Sequence, residues 1–125
     1  MNKRLKYIKY YYIYSYYICM GYVYLLYDIN NNTYKIGVTR KLDGRRFAAL
    51  QTGNSSKLEL KETYETDYPF RLETMLHRRF IQYKENNEWF NLPEDIAHDF
   101  KYYCNETNKI IKIMEDNPYF SKNLK

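Results

Sequence analysis

Hydrophobic and polar positions divide most of the chain into short, recognisable elements. Val23–Tyr27 and Thr33–Val38 are rich in aromatic and β-branched residues, and the polar run Asp28-Ile29-Asn30-Asn31-Asn32 between them supplies turn chemistry. These segments predict a hairpin. If Tyr27 and Asn32 close the loop, Tyr24 stands directly opposite Lys35, and directly opposed residues share a face with Cβ atoms roughly 5 Å apart. A one-residue slip would separate them onto opposite faces. After Gly37, the spacing predicts a helix over Lys41–Gln51 with Thr39 as N-cap, in which Leu42, Arg46 and Ala49, or Phe47 and Leu50, recur at helical intervals. Thr52–Ser56 reads as a stop and loop, and Lys57–Thr66 as a third strand alternating through Leu58, Leu60 and Tyr64.

Pro69 opens a strong helix to about Tyr83, with Leu72, Leu76 and Phe80 forming its buried stripe. Glu73 and His77 repeat that spacing one residue further round, so they stack on the flank of the stripe. Glu85–Leu92 reads as a loop carrying Trp89 and Phe90. A last helix from Pro93 runs through Ile96, Phe100, Tyr103, Ile110 and Ile113 before a tail after Asp116.

Composition adjusts this picture in three places. A chain of 125 residues supports one domain, and 45% hydrophobic with 28% charged residues is globular. The 17 tyrosines accompany abundant Asn, Lys and Ile, all with AT-rich codons, so their number alone carries little function. The net charge of +5 is uneven: residues 1–20 hold four basic and no acidic side chains, residues 21–92 eleven against nine, and residues 93–125 five against six. Placement of individual arginines therefore says more about nucleic acid than bulk charge does.

Three segments follow: a tyrosine-rich basic extension at 1–19, a main domain at 20–92, and a C-terminal helix and tail at 93–125 packed on it. Met20 is an alternative start, since the patterned domain begins beside it. Cys19 and Cys104 form neither a CxxC pair nor a disulfide framework. No apolar run reaches the roughly 18–20 residues of a membrane span, and Lys9 interrupts the one N-terminal stretch that imitates a signal peptide. An intracellular protein with no membrane partner is expected.

Tyr24, Lys35, Arg45, Glu73 and His77 are each ordinary packing or surface residues when taken alone. As an ordered set they carry a resemblance. Val23-Tyr24-Leu25, Lys35-Ile36-Gly37, Arg45 and Glu73 resemble the GIY-YIG nuclease superfamily, in the branch found in phages and large DNA viruses. YKIG, the following Leu50–Gly53 (LQTG), Leu72–Phe80 (LExxLHxxF) and Glu88–Phe90 (EWF) mark that branch, and the likeness spans roughly residues 21–92.

The resemblance implies an α+β fold with a three-stranded antiparallel sheet flanked by helices, and Mg²⁺- or Mn²⁺-dependent hydrolysis of DNA, double-stranded, by a monomer or transient dimer. By position, Tyr24 matches the first motif's tyrosine, Lys35 replaces the second motif's tyrosine, Arg45 matches the helix arginine and Glu73 the metal-binding glutamate. Asn91 is the candidate for the C-terminal asparagine. Arg40, Lys41, Arg46 and Trp89 join it as candidate nucleic-acid contacts.

The chemistry of the residues agrees with these roles. One carboxylate suffices for Mg²⁺, which keeps several waters, and an arginine can fork onto two phosphate oxygens. Tyr24, with an ordinary pKa of about 10, would need a nearby cation to serve as base. Lys35 is either that cation or, desolvated, the base itself. His77 is a candidate to orient water or protonate the leaving oxygen. Two other functions fit the same sequence: a catalytically inactive nucleic-acid-binding or regulatory module, and an interaction protein that uses the tyrosine-rich arm.

Overall fold

In a computed structural model, residues 20–117 are described; the expected N-terminal arm, with Cys19, lies outside the described residues. The chain forms an α+β domain in which all strand pairings are antiparallel. The elements are β1 (Gly21–Asp28), β2 (Thr33–Thr39), α1 (Arg45–Thr52), β3 (Leu58–Thr66), α2 (Pro69–Arg79), β4 (Lys84–Asn86), β5 (Trp89–Phe90), α3 (Glu94–His98) and α4 (Phe100–Asp116), with a 3-10 turn at Ile81–Tyr83. The sheet order is β3-β1-β2-β5-β4.

The sheet thus has five strands, where three were expected. The expected loop at Glu85–Leu92 is a small hairpin that extends the edge of β2. At three and two residues its strands are too short to show alternation, and Asn87, at φ 45°, turns the chain between them.

β1 and β2 pair with Tyr24 opposite Gly37 and Leu26 opposite Lys35. The register differs by two residues from the expected one because Asp28 and Thr33 close the turn. Asp28 accepts hydrogen bonds from the backbone N–H of Asn30 (3.0 Å) and Asn31 (3.1 Å) and from the Asn31 amide (2.8 Å), capping the loop from inside the strand. A shift of two preserves parity, so Tyr24 and Lys35 still share a face, diagonally.

Parity also divides the sheet. Val23, Leu25, Tyr34, Ile36 and Phe90 join Leu72, Leu76, Phe80, Phe100, Cys104 and Ile111 in one buried core under α2 and α4. Tyr24, Leu26, Lys35 and Gly37 belong to the other face, on which α1 sits with the Phe47 ring edge-on to Tyr24 (centroids 5.2 Å apart).

Three further expectations change. β3 slips by one residue against β1 between Leu25 and Leu26, leaving Lys61 unpaired. The bulge inverts the alternation, so Leu60 is solvent-exposed while Tyr64 packs on the core. α1 starts at Arg45 because Gly44 adopts φ 82° and the Asp43 carboxylate accepts the Arg45 N–H at 3.1 Å. The last helix is broken at Asp99. Its buried stripe is Phe100, Cys104, Thr107 and Ile111, leaving Ile110 and Ile113 exposed. α4 is tied to α2 by an Arg71–Glu115 ion pair.

Candidate functional site

The site forms where the Tyr24–Lys35 face meets the flank of α2. Tyr24 is fully buried, and its ring lies across Gly37: a Cβ on residue 37 would come within 3.0 Å of Tyr24 Cε1 and closer still to the phenol oxygen. Glycine is needed there for space, not for turning. Burial pushes the Tyr24 phenol above its ordinary value, and the hydrogen bond and charge from Arg46 only partly oppose this. Tyr24 is therefore a neutral hydroxyl at physiological pH.

Arg46 Nη2 donates to that hydroxyl at 3.5 Å. Arg45, the expected helix arginine, is placed elsewhere: its side chain is 88% exposed and its Nε meets Asp43 at 3.4 Å. Once Gly44 starts the helix, the residue one turn before Leu50 faces the sheet, and that residue is Arg46. The signal was in the sequence, since Arg46 shares the helical spacing of Leu42 and Ala49.

Lys35 Nζ is bound by the Glu88 carboxylate at 2.6 Å, and the Lys35 side chain is only 9% exposed. Its ammonium also lies 5.9 Å from the centre of the Trp89 ring, the residue opposite it on β5. Glu88 had no expected role. It belongs to the EWF string, but a loop reading gives it no direction; the register of β5 on β2 does.

His77 Nε2 lies 3.0 Å from the Ile36 carbonyl oxygen. A carbonyl only accepts, so Nε2 carries the proton, and in the neutral ring Nδ1 is left as acceptor. The ring stands edge-on to Phe90 at 4.8 Å. His77 thus pegs α2 to β2 beside Gly37 and fixes the height of Glu73 one turn earlier. Glu73 is partly buried, and its carboxyl is pushed up to about 7, by burial first and then by the charge of Glu88, against the pull of Lys35 and Arg46. Glu73 and His77 open onto a hollow of ≈ 230 Å³ bordered by Arg78 and Lys84.

The structure therefore brings together Tyr24, Lys35, Arg46, Glu73, His77 and Glu88. It places Arg45 outside, and Arg40 over the Phe70 ring at 5.8 Å. Lys41 is exposed, its backbone bonded to the Thr39 hydroxyl. Asn91 is exposed, its N–H bonded to the Tyr83 carbonyl at 2.7 Å. Among the described residues no cluster of three or more His, Cys, Asp or Glu side chains could hold a metal ion, and no helix is long and apolar enough to cross a membrane.

The fold is a small antiparallel α+β domain, and its family match places it in a nuclease-related group of phage-associated domains. The chain belongs to the T5orf172 domain family, a phage-associated domain, with residues 21–113 matched. No curated protein and no solved structure matches it.

Proposed function

We propose that this protein is a metal-dependent DNA endonuclease that hydrolyses phosphodiester bonds at one GIY-YIG-type site. The observation that carries the reading is the convergence of Tyr24, Arg46 and Glu73 from three separate elements around Gly37, with Lys35 and His77 beside them. A carboxyl pushed up to about 7 by burial, beside Lys35 and Arg46, has the perturbed character typical of functional sites.

Glu73 is the residue that would hold Mg²⁺ or Mn²⁺. A single partly buried carboxylate, disfavoured as an anion until a cation neutralises it, suits an ion that needs one or two carboxylates and retains water. When bound, the ion supplies neutralising charge and an acidified water. The side chains of the chain itself do the rest. Arg46, exposed and anchored only at one nitrogen, forks onto the non-bridging phosphate oxygens as their charge grows. Tyr24, kept as a hydroxyl by burial, accepts the Arg46 hydrogen bond and holds that arginine against the sheet. Lys35, paired with Glu88 at 2.6 Å, adds positive charge beside Glu73. His77 holds Glu73 in place, with Nδ1 left as a hydrogen-bond acceptor.

Incubating supercoiled DNA with the protein and Mg²⁺ tests the reading. Nicking that disappears in Glu73→Ala and Arg46→Ala but survives in Arg45→Ala supports it; nicking that persists in Glu73→Ala sinks it. A second reading, a nucleic-acid-binding module without cleavage, draws on the Lys35–Glu88 pair, which keeps Lys35 tied to a carboxylate. Steeply salt-dependent DNA binding with no cleavage in either Mg²⁺ or Mn²⁺ would favour it.

A further inference from the structure

At the turn end of the sheet lies a cleft of ≈ 470 Å³ that the site above does not use. Asn31, Thr33, Asn54, Ser55 and Asn86 contribute hydrogen-bonding side chains to it, Trp89 forms an aromatic wall, and no lysine or arginine lines it. Asp28 and Glu85 also border it, but the Asp28 carboxylate is already taken up by the backbone N–H groups of Asn30 and Asn31 and by the Asn31 amide. Phosphate is therefore disfavoured here, while a neutral planar group with donors and acceptors on its rim is well served.

Strand parity joins this cleft to the site. Thr33, Lys35 and Gly37 lie on one face of β2, and Trp89 stands opposite Lys35. At a strand rise of about 3.3 Å per residue, Thr33 is about 7 Å along from Lys35, roughly the reach of one extended nucleotide. Trp89 lies between the two, near Lys35 on one side and walling the cleft on the other.

We propose that the cleft receives the base of an unpaired nucleotide adjoining the phosphate bound at Lys35 and Arg46, with the base stacked on Trp89 and its edge met by Asn54 and Asn86. The polarity of this arrangement, phosphate toward Arg46 and base toward Asn86, rests on the phosphodiesterase reading. The substrate is then DNA that presents an unpaired nucleotide next to the scissile bond, such as a bulge or a frayed end. Stacking on an aromatic ring tolerates any base, so the preference is for structure over sequence.

Trp89 is the single tryptophan of the chain and reports on its own cleft. The experiment uses full-length Glu73→Gln protein without divalent metal, titrated with a short single strand, the matching blunt duplex, a duplex with a one-base bulge, and a single strand bearing abasic residues. Tryptophan fluorescence is followed, and total binding is read in parallel by anisotropy of labelled DNA. The single strand and the bulged duplex are expected to quench Trp89, and the blunt duplex and abasic strand to bind without quenching. An Asn54→Ala, Asn86→Ala double variant, altered only in side chains bordering the cleft, should lose roughly ten-fold in affinity for the single strand and none for the blunt duplex. Equal quenching by abasic and normal strands, or binding without any quenching, overturns the proposal. Nicking is scored separately in wild type: quenching without nicking retires the nuclease reading and keeps the cleft, and nicking without quenching does the reverse.

Discussion

The Tyr24 ring occupies the space that a side chain on Gly37, its directly opposed residue, would fill. The glycine and the tyrosine thus act as one unit across the hairpin. Gly37→Ala has to displace the phenol from a fully buried position, and overpacking of this kind costs about 1–3 kcal/mol. The expected result is a lower melting temperature and at least a ten-fold loss of nicking. Gly37→Ala with Tyr24→Phe should not recover stability, because the clash involves ring carbons as well as the hydroxyl. Thermal denaturation of both variants checks this.

Lys35 and Glu88 form the tightest side-chain pair at the site, with the lysine buried and the glutamate about half exposed. Glu88→Ala leaves a desolvated ammonium without a partner and should cost roughly 1–3 kcal/mol, below the full value for a buried pair because water reaches the Glu88 side. Lys35→Met combined with Glu88→Gln removes both charges and should be less destabilised than the sum of the single changes. A double-mutant cycle by urea denaturation measures the coupling, and a value near zero would contradict the geometry.

Glu73 makes metal-free stability depend on pH in a defined direction. Its folded value, about 7, lies above the ordinary 4.5, so the folded state holds the proton more tightly. That contribution is fully present below about 4.5 and is lost as pH rises through about 7. Glu73→Gln should therefore melt higher than wild type at pH 8, by on the order of 1 kcal/mol or about 4–8 °C, with the gap closing at pH 4.5. Mg²⁺ should stabilise wild type more at pH 8 than at pH 6, and should leave Glu73→Gln unmoved.

Asp28 works in the opposite sense. Burial tends to raise its carboxyl, but hydrogen bonds from the Asn31 amide and the turn backbone outweigh this and hold it below the usual value. Its stabilisation is present above the ordinary 3.8 and disappears as pH falls through the lower folded value. Asp28→Ala should cost roughly 1–2 kcal/mol at pH 7, leaving turn N–H groups unpaired, and much less in strong acid. Circular dichroism melts across that range test it.

Much of this architecture is written in local pattern. The hairpin and the Leu72–Leu76–Phe80 stripe follow from periodicity because each buries one face against the body; the third strand was legible as a strand, but its bulge inverts the alternation. What periodicity misses depends on contacts between distant segments. The extra strands at 84–90 are too short to alternate, and they form by adding to an edge that already exists. Hairpin register was decided by how Asp28 caps its loop, and which of Arg45 and Arg46 faces the sheet by a left-handed glycine at the helix start. Glu88 was visible within a motif, yet only strand pairing turns it toward a lysine 53 residues away.

The bulged outer strand β3 has one more consequence. It is nine residues long and forms one edge of the sheet, the kind of surface on which neighbouring molecules add strand to strand. Lys61 steps out of register there, and Glu59, Lys61, Glu62 and Glu65 stud its length. A second chain pairing along it would have to cross the irregularity and desolvate these charges. Copies crowded together can thus remain separate bodies, and their sheets do not zip into a continuous ribbon.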